Sequence, residues 1–465
     1  MKRLFHLFYF LLAVSPLCLS QRIIIDSIIY EGNAKTKNYI LRRELDFKLH
    51  DSLNINQLKD RFKENRSRIL NTGLFKEVVI NVKSWNTETN HTTILIKVEE
   101  AWYIYPIPIF ELADRNFNVW WNEFNGSFKR VNYGIRFIHN NLTGNQDALK
   151  VAVQLGYSSR LDAQYAWPYW GKNRNWRFTT DLLLSKNKES YYTTFEDKPV
   201  FYKSSNDYPL RRTRIGTSLE NRTSLQLFQK IKLEYNYNQT ISEISENLNP
   251  DFFLNGYANQ KYFSLNYTFA YDDRDLKYFP TKGRKSEIQI TKEGLGNTNG
   301  SLNTLFVNLH VEQFFPWTAR HSAGFLINAK ASIIRNQVPY YNSKALGYGN
   351  EYLKGFEYYV VDGIDYLFLK FRESYIFYED NFKFRPQKKL GIKSMPLRLG
   401  IAAHAGTAYV NNIYYASNNN LANRWIYSSG LSLECLLSNT SLIQLDWSIN
   451  GFKEAGFYLH FRDQF

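Results

Sequence analysis

From about residue 101 to Phe465, apolar and polar residues alternate with a period of two in segments of roughly ten residues, separated by turns rich in Asn, Gly and Ser. In Thr304–Gln313, Leu305, Val307, Leu309 and Val311 are apolar, whereas Thr304, Asn308, His310 and Glu312 are polar. Phe325, Ile327, Ala329 and Ile333 alternate with Asn328, Lys330 and Ser332, and Ile443, Leu445, Trp447 and Ile449 with Gln444, Asp446, Ser448 and Asn450. A two-residue period gives each strand one apolar and one polar face. From Trp102 to the end there are roughly sixteen such segments. Past the N-terminus, no stretch reaches the ~18 apolar residues of a helical span. Aromatic residues make up 17% of the chain (34 Tyr, 34 Phe, 10 Trp), while the mean hydropathy is −0.43. That pairing suits a transmembrane barrel with aromatic girdles. Composition alone would also fit a soluble all-β protein.

The first twenty residues set the compartment. Lys2 and Arg3 precede the almost wholly apolar run Leu4 to Leu17, and Cys18-Leu19-Ser20 offers small residues for a cut before Gln21. This pattern predicts a secretory signal over residues 1–20. The run is short for an uncleaved anchor, and bulky Leu17 argues against lipoprotein processing at Cys18. Cleavage would leave Cys435 as the single cysteine of the mature chain, so no internal disulfide can form. The net charge is +15, yet no nucleic-acid motif accompanies it. Anionic lipid head groups or a basic lumen account for the charge more simply, and no nucleic-acid partner is expected.

Residues 22–100 read differently, as a small α+β domain in the order β-α-α-β-β. Arg22–Tyr30 is a predicted strand, Lys35–Leu45 a short helix, and Leu58, Phe62 and Ile69 recur at helical spacing up to Gly73. Asn54 to Gln57 has the form of a capping box. Val78–Val82 and Thr92–Val98 alternate as half-buried strands. No catalytic constellation stands out: the 8 His are scattered, and neither metal-ligand spacing nor a phosphate-cradling loop appears. An enzyme is not expected, and neither a metal nor another cofactor.

Several motifs narrow the family. Tyr30-Glu31-Gly32-Asn33, Arg43-Glu44-Leu45 and Asn71-Thr72-Gly73-Leu74-Phe75 together resemble a POTRA domain. Asp272-Asp273-Arg274-Asp275 with Phe279-Pro280-Thr281-Lys282-Gly283 resembles a mid-barrel turn of the BamA/TamA-like outer-membrane assembly superfamily, the surface antigen barrels. Leu353-Lys354-Gly355-Phe356 resembles the tip of that family's inward-folded lid loop, whose arginine reaches an acidic group on the barrel wall. Here Lys354 replaces the arginine, and His404, within Ala402 to Gly406, stands where the family usually has Asp. A lysine is a point charge without arginine's bidentate fork, so the anchor is expected to be weakened or moved, with Glu434 or Asp446 as the new partner of Lys354. A solvated loop lysine is the simpler alternative. Phe457, Leu459, Phe461 and Phe465, alternating with Tyr458, His460, Arg462 and Gln464, resemble the terminal sorting strand of outer-membrane barrels.

The expected architecture is therefore a transmembrane β-barrel of roughly 16 antiparallel strands over 101–465, behind one POTRA-like domain over 22–100. The resemblance implies a bacterial outer-membrane protein with its N-terminal domain in the periplasm, in contact with lipid. Its function would be to assemble or insert other proteins. Client strands would add to the POTRA-like sheet edge and to a weak seam between Tyr103–Leu112 and Gly456–Phe465. Pro106 and Pro108 each remove a ladder donor from the first strand. Unfolded barrel or secreted proteins are the expected clients, with periplasmic lipoproteins or chaperones as further partners. A secretion pore of the two-partner type and an accessory barrel without insertase activity are the alternatives.

Overall fold

The computed structural model describes residues 22–114, 117–172, 174–204, 207–276, 279–296, 302–349, 351–383, 394–437 and 441–461. The expected signal over 1–20 lies outside them, as do Arg462, Gln464, Phe465 and the side chain of Phe461. The chain forms two compact units that meet in sequence at Ala101 and Trp102.

The first unit contains β1 (Arg22–Glu31), α1 (Asn38–Arg43), β2 (Ser52–Asn54), α2 (Leu58–Asn71), β3 (Phe75–Asn86) and β4 (His91–Glu100). Its sheet runs β2-β1-β4-β3, with β1 and β4 parallel. Alternation buries Ile23 and Ile25 of β1 and Ile94, Ile96 and Val98 of β4, and the helices bury Ile40, Leu41 and Ile69. Helix α1 is shorter than predicted because Glu100 accepts from the amides of Lys35 and Thr36, which keeps residues before Asn38 out of the helix. Half of the capping box forms: the Asn54 side chain caps the 3-10 turn Ile55–Gln57 ahead of α2, accepting from the Asn56 amide at 2.9 Å, while among the described residues Gln57 does not return the bond. The very short β2 was not anticipated. At Gly32 φ is +90°, and a Cβ there would lie 1.9 Å from the carbonyl oxygen of Val98, so the turn after β1 requires glycine.

The second unit is a sixteen-stranded sheet in chain order, every strand antiparallel to the next, from Ile104–Leu112 to Ala455–Phe461. Ile215, Ile231, Leu233, Leu265, Ile288 and Ile290 are exposed, whereas Ser218, Asn236, Ser264, Thr268 and Thr291 on the opposite parity are buried. Apolar outside and polar inside is the pattern of a lipid-facing barrel. Among the described residues no helix is long and apolar enough to cross a membrane.

The connection between the eleventh strand (His321–Ser332) and the twelfth (Asp365–Lys383) folds on itself through a small ribbon, Lys344–Leu346 with Val361–Asp362. Leu346, Leu353, Phe356 and Val361 of this connection join Phe368, Ala408, Val410 and Ile426 of the barrel strands in one buried cluster. The loop is thus packed against the inner wall and forms a lid.

Candidate functional site: the lid anchor and the barrel seam

At the lid tip Gly355 has φ +86°, and its neighbours on the wall are the Cβ atoms of Ser428, Ser448 and Asn450, each 3.5 Å from the position a Cβ would take. Asn450 donates from Nδ2 to the Gly355 carbonyl at 2.9 Å. Phe356 is 1% exposed within the buried cluster. Leu353 fits because the wall carries Gly406, where a Cβ would come within 2.6 Å of Leu353 Cδ1.

Lys354, 4% exposed, points into the wall. Its Nζ lies 3.3 Å from Asp446 Oδ1 and 3.5 Å from Ser432 Oγ. Asp446 also lies 3.5 Å from His460 Nε2, which is 3.2 Å from Glu357 of the lid. Tyr352 stacks on His460 with ring centroids 5.1 Å apart. A buried ion pair is costly unless further polar groups satisfy its remaining atoms; Ser432 serves Lys354, whereas among the described residues Asp446 Oδ2 has only the longer contact to His460 and no hydrogen bond.

Glu434, the other expected partner, is not available to Lys354. It takes Arg372 in a bidentate pair, 3.0 Å from Nε and 2.5 Å from Nη2, and also accepts from Gln444 Nε2 at 2.9 Å. A guanidinium fork matches a carboxylate better than an ammonium can, and Arg372 is already opposite it on the inner wall. His404 bridges Ser432 Oγ at 3.1 Å and Ser448 Oγ at 3.0 Å, so it buttresses the anchor rather than receiving Lys354. Gly430 makes its place, since a Cβ there would fall 2.7 Å from His404 Nε2. Within the lid ribbon Lys344 and Asp362 are register partners. Burial pushes the Lys344 ammonium down to about 8 and the Asp362 carboxyl up to about 6.

The hairpin motif lies between the eighth strand (Asn259–Asp272) and the ninth (Gly283–Leu295). Asp272 takes Arg274 through two bonds of 2.9 Å, and Arg274 Nη1 reaches Glu312 at 2.7 Å. Asp275 accepts from the amides of Thr281 and Lys282 at 3.0 and 3.2 Å and from Thr281 Oγ1 at 2.8 Å. Pro280 is buried in the turn. Gly283 has φ +97°, and a Cβ there would sit 2.6 Å from the Asp273 carbonyl oxygen. Phe279 lies under Arg372, 5.3 Å from ring centroid to guanidinium carbon, so this hairpin supports the same inner wall.

At the ends of the sheet, Ile104–Leu112 pairs with the second strand and Ala455–Phe461 with the fifteenth, and among the described residues the two do not pair with each other. Pro106 and Pro108 sit opposite Phe137 and Ile135. Phe457 is 65% exposed and Tyr458 4%, the parity expected of a terminal strand. Asn118, in the loop after the first strand, donates to the Phe457 carbonyl at 2.5 Å and accepts from the Leu459 amide at 3.4 Å. Its side-chain amide thereby takes the place of one residue of a neighbouring strand. Asn122 donates to Tyr358 of the lid at 2.6 Å. Sequence reasoning missed Arg372, His460, Ser432 and Asn118 as site residues. The parity of their strands marks the first three as inward, but no local signal identifies Asn118.

Residues 141–365 match the Omp85 superfamily domain, and residues 23–101 match the surface antigen variable number repeat, the POTRA domain. The chain carries a POTRA domain and an Omp85 superfamily domain. This Omp85 barrel is similar in structure to BamA from Haemophilus ducreyi lacking POTRA domains 1–3, with a TM-score of 0.53 at 14% identity over 94% of this chain and 83% of that one. CdiB from Escherichia coli aligns with a TM-score of 0.55 at 11% identity, over 94% of this chain and 75% of that one. No curated protein matches the sequence. Members of the superfamily are non-enzymatic transporters or insertion factors. This Omp85 protein lies in the outer membrane with its POTRA domain in the periplasm, as a barrel for protein assembly or secretion.

Proposed function

We propose that this protein assembles other outer-membrane proteins, receiving client strands at the POTRA sheet edge and at the seam between its first and last barrel strands. The observation that carries this reading is that, among the described residues, the first and last strands do not pair and Asn118 bridges to the edge of the last. A strand edge with free amides and carbonyls is a template for another strand, and one asparagine occupies only a short part of it. Pro106 and Pro108 cannot donate to a ladder, which keeps the first strand a poor partner for the last. On the POTRA domain, β3 forms an edge of the sheet and carries exposed Val79, Val82 and Trp85 along its length. It offers an edge backbone with exposed apolar side chains beside it to an extended chain.

Depletion of the protein followed by quantitative proteomics of the outer membrane tests this reading. A broad loss of barrel proteins is expected. Loss of one or a few secreted proteins with the barrels unchanged would contradict it and favour a secretion pore.

A further inference from the structure

Odd-numbered barrel strands run away from the periplasmic end, so the fifth strand (Trp176–Asn187) finishes and the sixth (Leu210–Arg222) begins at the outer end. On the lipid-facing side of this end, Ser159, Lys186, Arg211 and Gln239 are successive register partners across four strands. The row beneath is Leu161, Leu184, Thr213, Tyr237 and Lys261, and the row beneath that is Ala163, Leu182, Ile215, Tyr235 and Phe263. Cations therefore cap an apolar band on one sector of the wall. On the thirteenth and fourteenth strands, the upper outward positions are held by Tyr409, Trp425 and Tyr427.

Lys186 and Arg211 are directly opposite one another and exposed. Like charges so placed repel, and among the described residues no carboxylate pairs with Lys186, Arg211 or Lys261. Each faces only an aromatic ring: Lys186 lies 4.4 Å and Arg211 5.8 Å from Tyr208, and Lys261 4.9 Å from Tyr237. A hollow of about 390 Å³ opens on this face, lined in the upper row by Lys186 and Arg211 beside Leu155 and in the row beneath by Val153, Leu161 and Leu184. Two cations at its top with aliphatic side chains beneath them match an amphiphile rather than a free anion.

We propose that this sector binds a phosphorylated outer-leaflet glycolipid. Its phosphates would lie between Lys186, Arg211 and Lys261, and an acyl chain would run down along Val153, Leu161 and Leu184. The bound phosphate offsets the repulsion within the cation row.

The test uses the full-length protein in a neutral detergent, titrated with bis-phosphorylated lipid A and read by native mass spectrometry. The K186Q/R211Q/K261Q variant should bind about a hundredfold more weakly, each cation near a lipid surface contributing a factor of about five. Enzymatic removal of the lipid phosphates should abolish the difference between wild type and variant. Retained heat-modifiable mobility of the variant verifies its folded barrel, and single K186Q and R211Q changes serve if the triple variant does not fold. Equal affinity of wild type and the variants would overturn the assignment. So would full displacement of lipid A by millimolar inorganic phosphate, which would mean that the site takes the anion alone.

Discussion

Lys354 is a point charge held between Asp446 and Ser432, while the buried Arg372 on the same inner wall is committed to Glu434. The lid anchor and the wall pair are therefore two separate ion pairs, one carboxylate to each cation. Breaking a buried pair from one side leaves an uncompensated charge at a cost of about 3–5 kcal/mol, whereas removing both partners is far milder. Lys354→Ala should accordingly lower the thermal stability of the purified barrel, and adding Asp446→Ala should restore most of the loss. Equal destabilisation by the single and double variants would mean that the pair contributes nothing. His404→Ala should have a smaller effect, on the order of 1–3 kcal/mol, because it removes neutral bonds to Ser432 and Ser448. The departure at positions 354 and 404 was legible in the sequence. The split of partners was not, because parity places both Glu434 and Asp446 in the lumen and does not say which cation reaches each.

At the scale of elements, the hairpin 272–283 and the lid depend on glycine and on carboxylates that hold backbone amides. Asp275→Ala removes four bonds within the turn and should cost about 1–3 kcal/mol, seen as a lower urea midpoint in refolding from detergent. Gly430→Ala should be worse than Gly406→Ala. A Cβ at Gly430 meets the Trp447 carbonyl oxygen at 2.1 Å, whereas at Gly406 it meets the mobile end of Leu353. Equal folding yields for the two variants would contradict this. The strands themselves were readable because lipid outside and polar groups inside force strict alternation on them. The lid ribbon, Lys344–Leu346 with Val361–Asp362, was not readable: its short segments carry no period and are fixed by packing against Phe368, Ala408 and Ile426. In the POTRA domain the late start of α1 has a similar cause, since the capping of Lys35 and Thr36 by Glu100 comes from a distant strand.

For the whole molecule, lid and seam are linked through the loop after the first strand. Asn118 holds the edge of the last strand and Asn122 holds Tyr358 of the lid. Asn118→Ala should therefore free the edge at Phe457 and Leu459, increasing hydrogen exchange at the Leu459 amide without unfolding the barrel. Protection unchanged in the variant would show that the asparagine does not cap the strand. Client assembly through the seam is most directly tested by locking it. In a Cys435→Ser background, Ile107→Cys on the first strand is combined in turn with a cysteine at each of positions 455–459 on the last. The pair that crosslinks on oxidation is then assayed for outer-membrane protein assembly, with and without reductant. Assembly should fail when the seam is crosslinked and recover on reduction; assembly that proceeds normally through a locked seam would contradict a lateral opening as the route by which this barrel handles its clients.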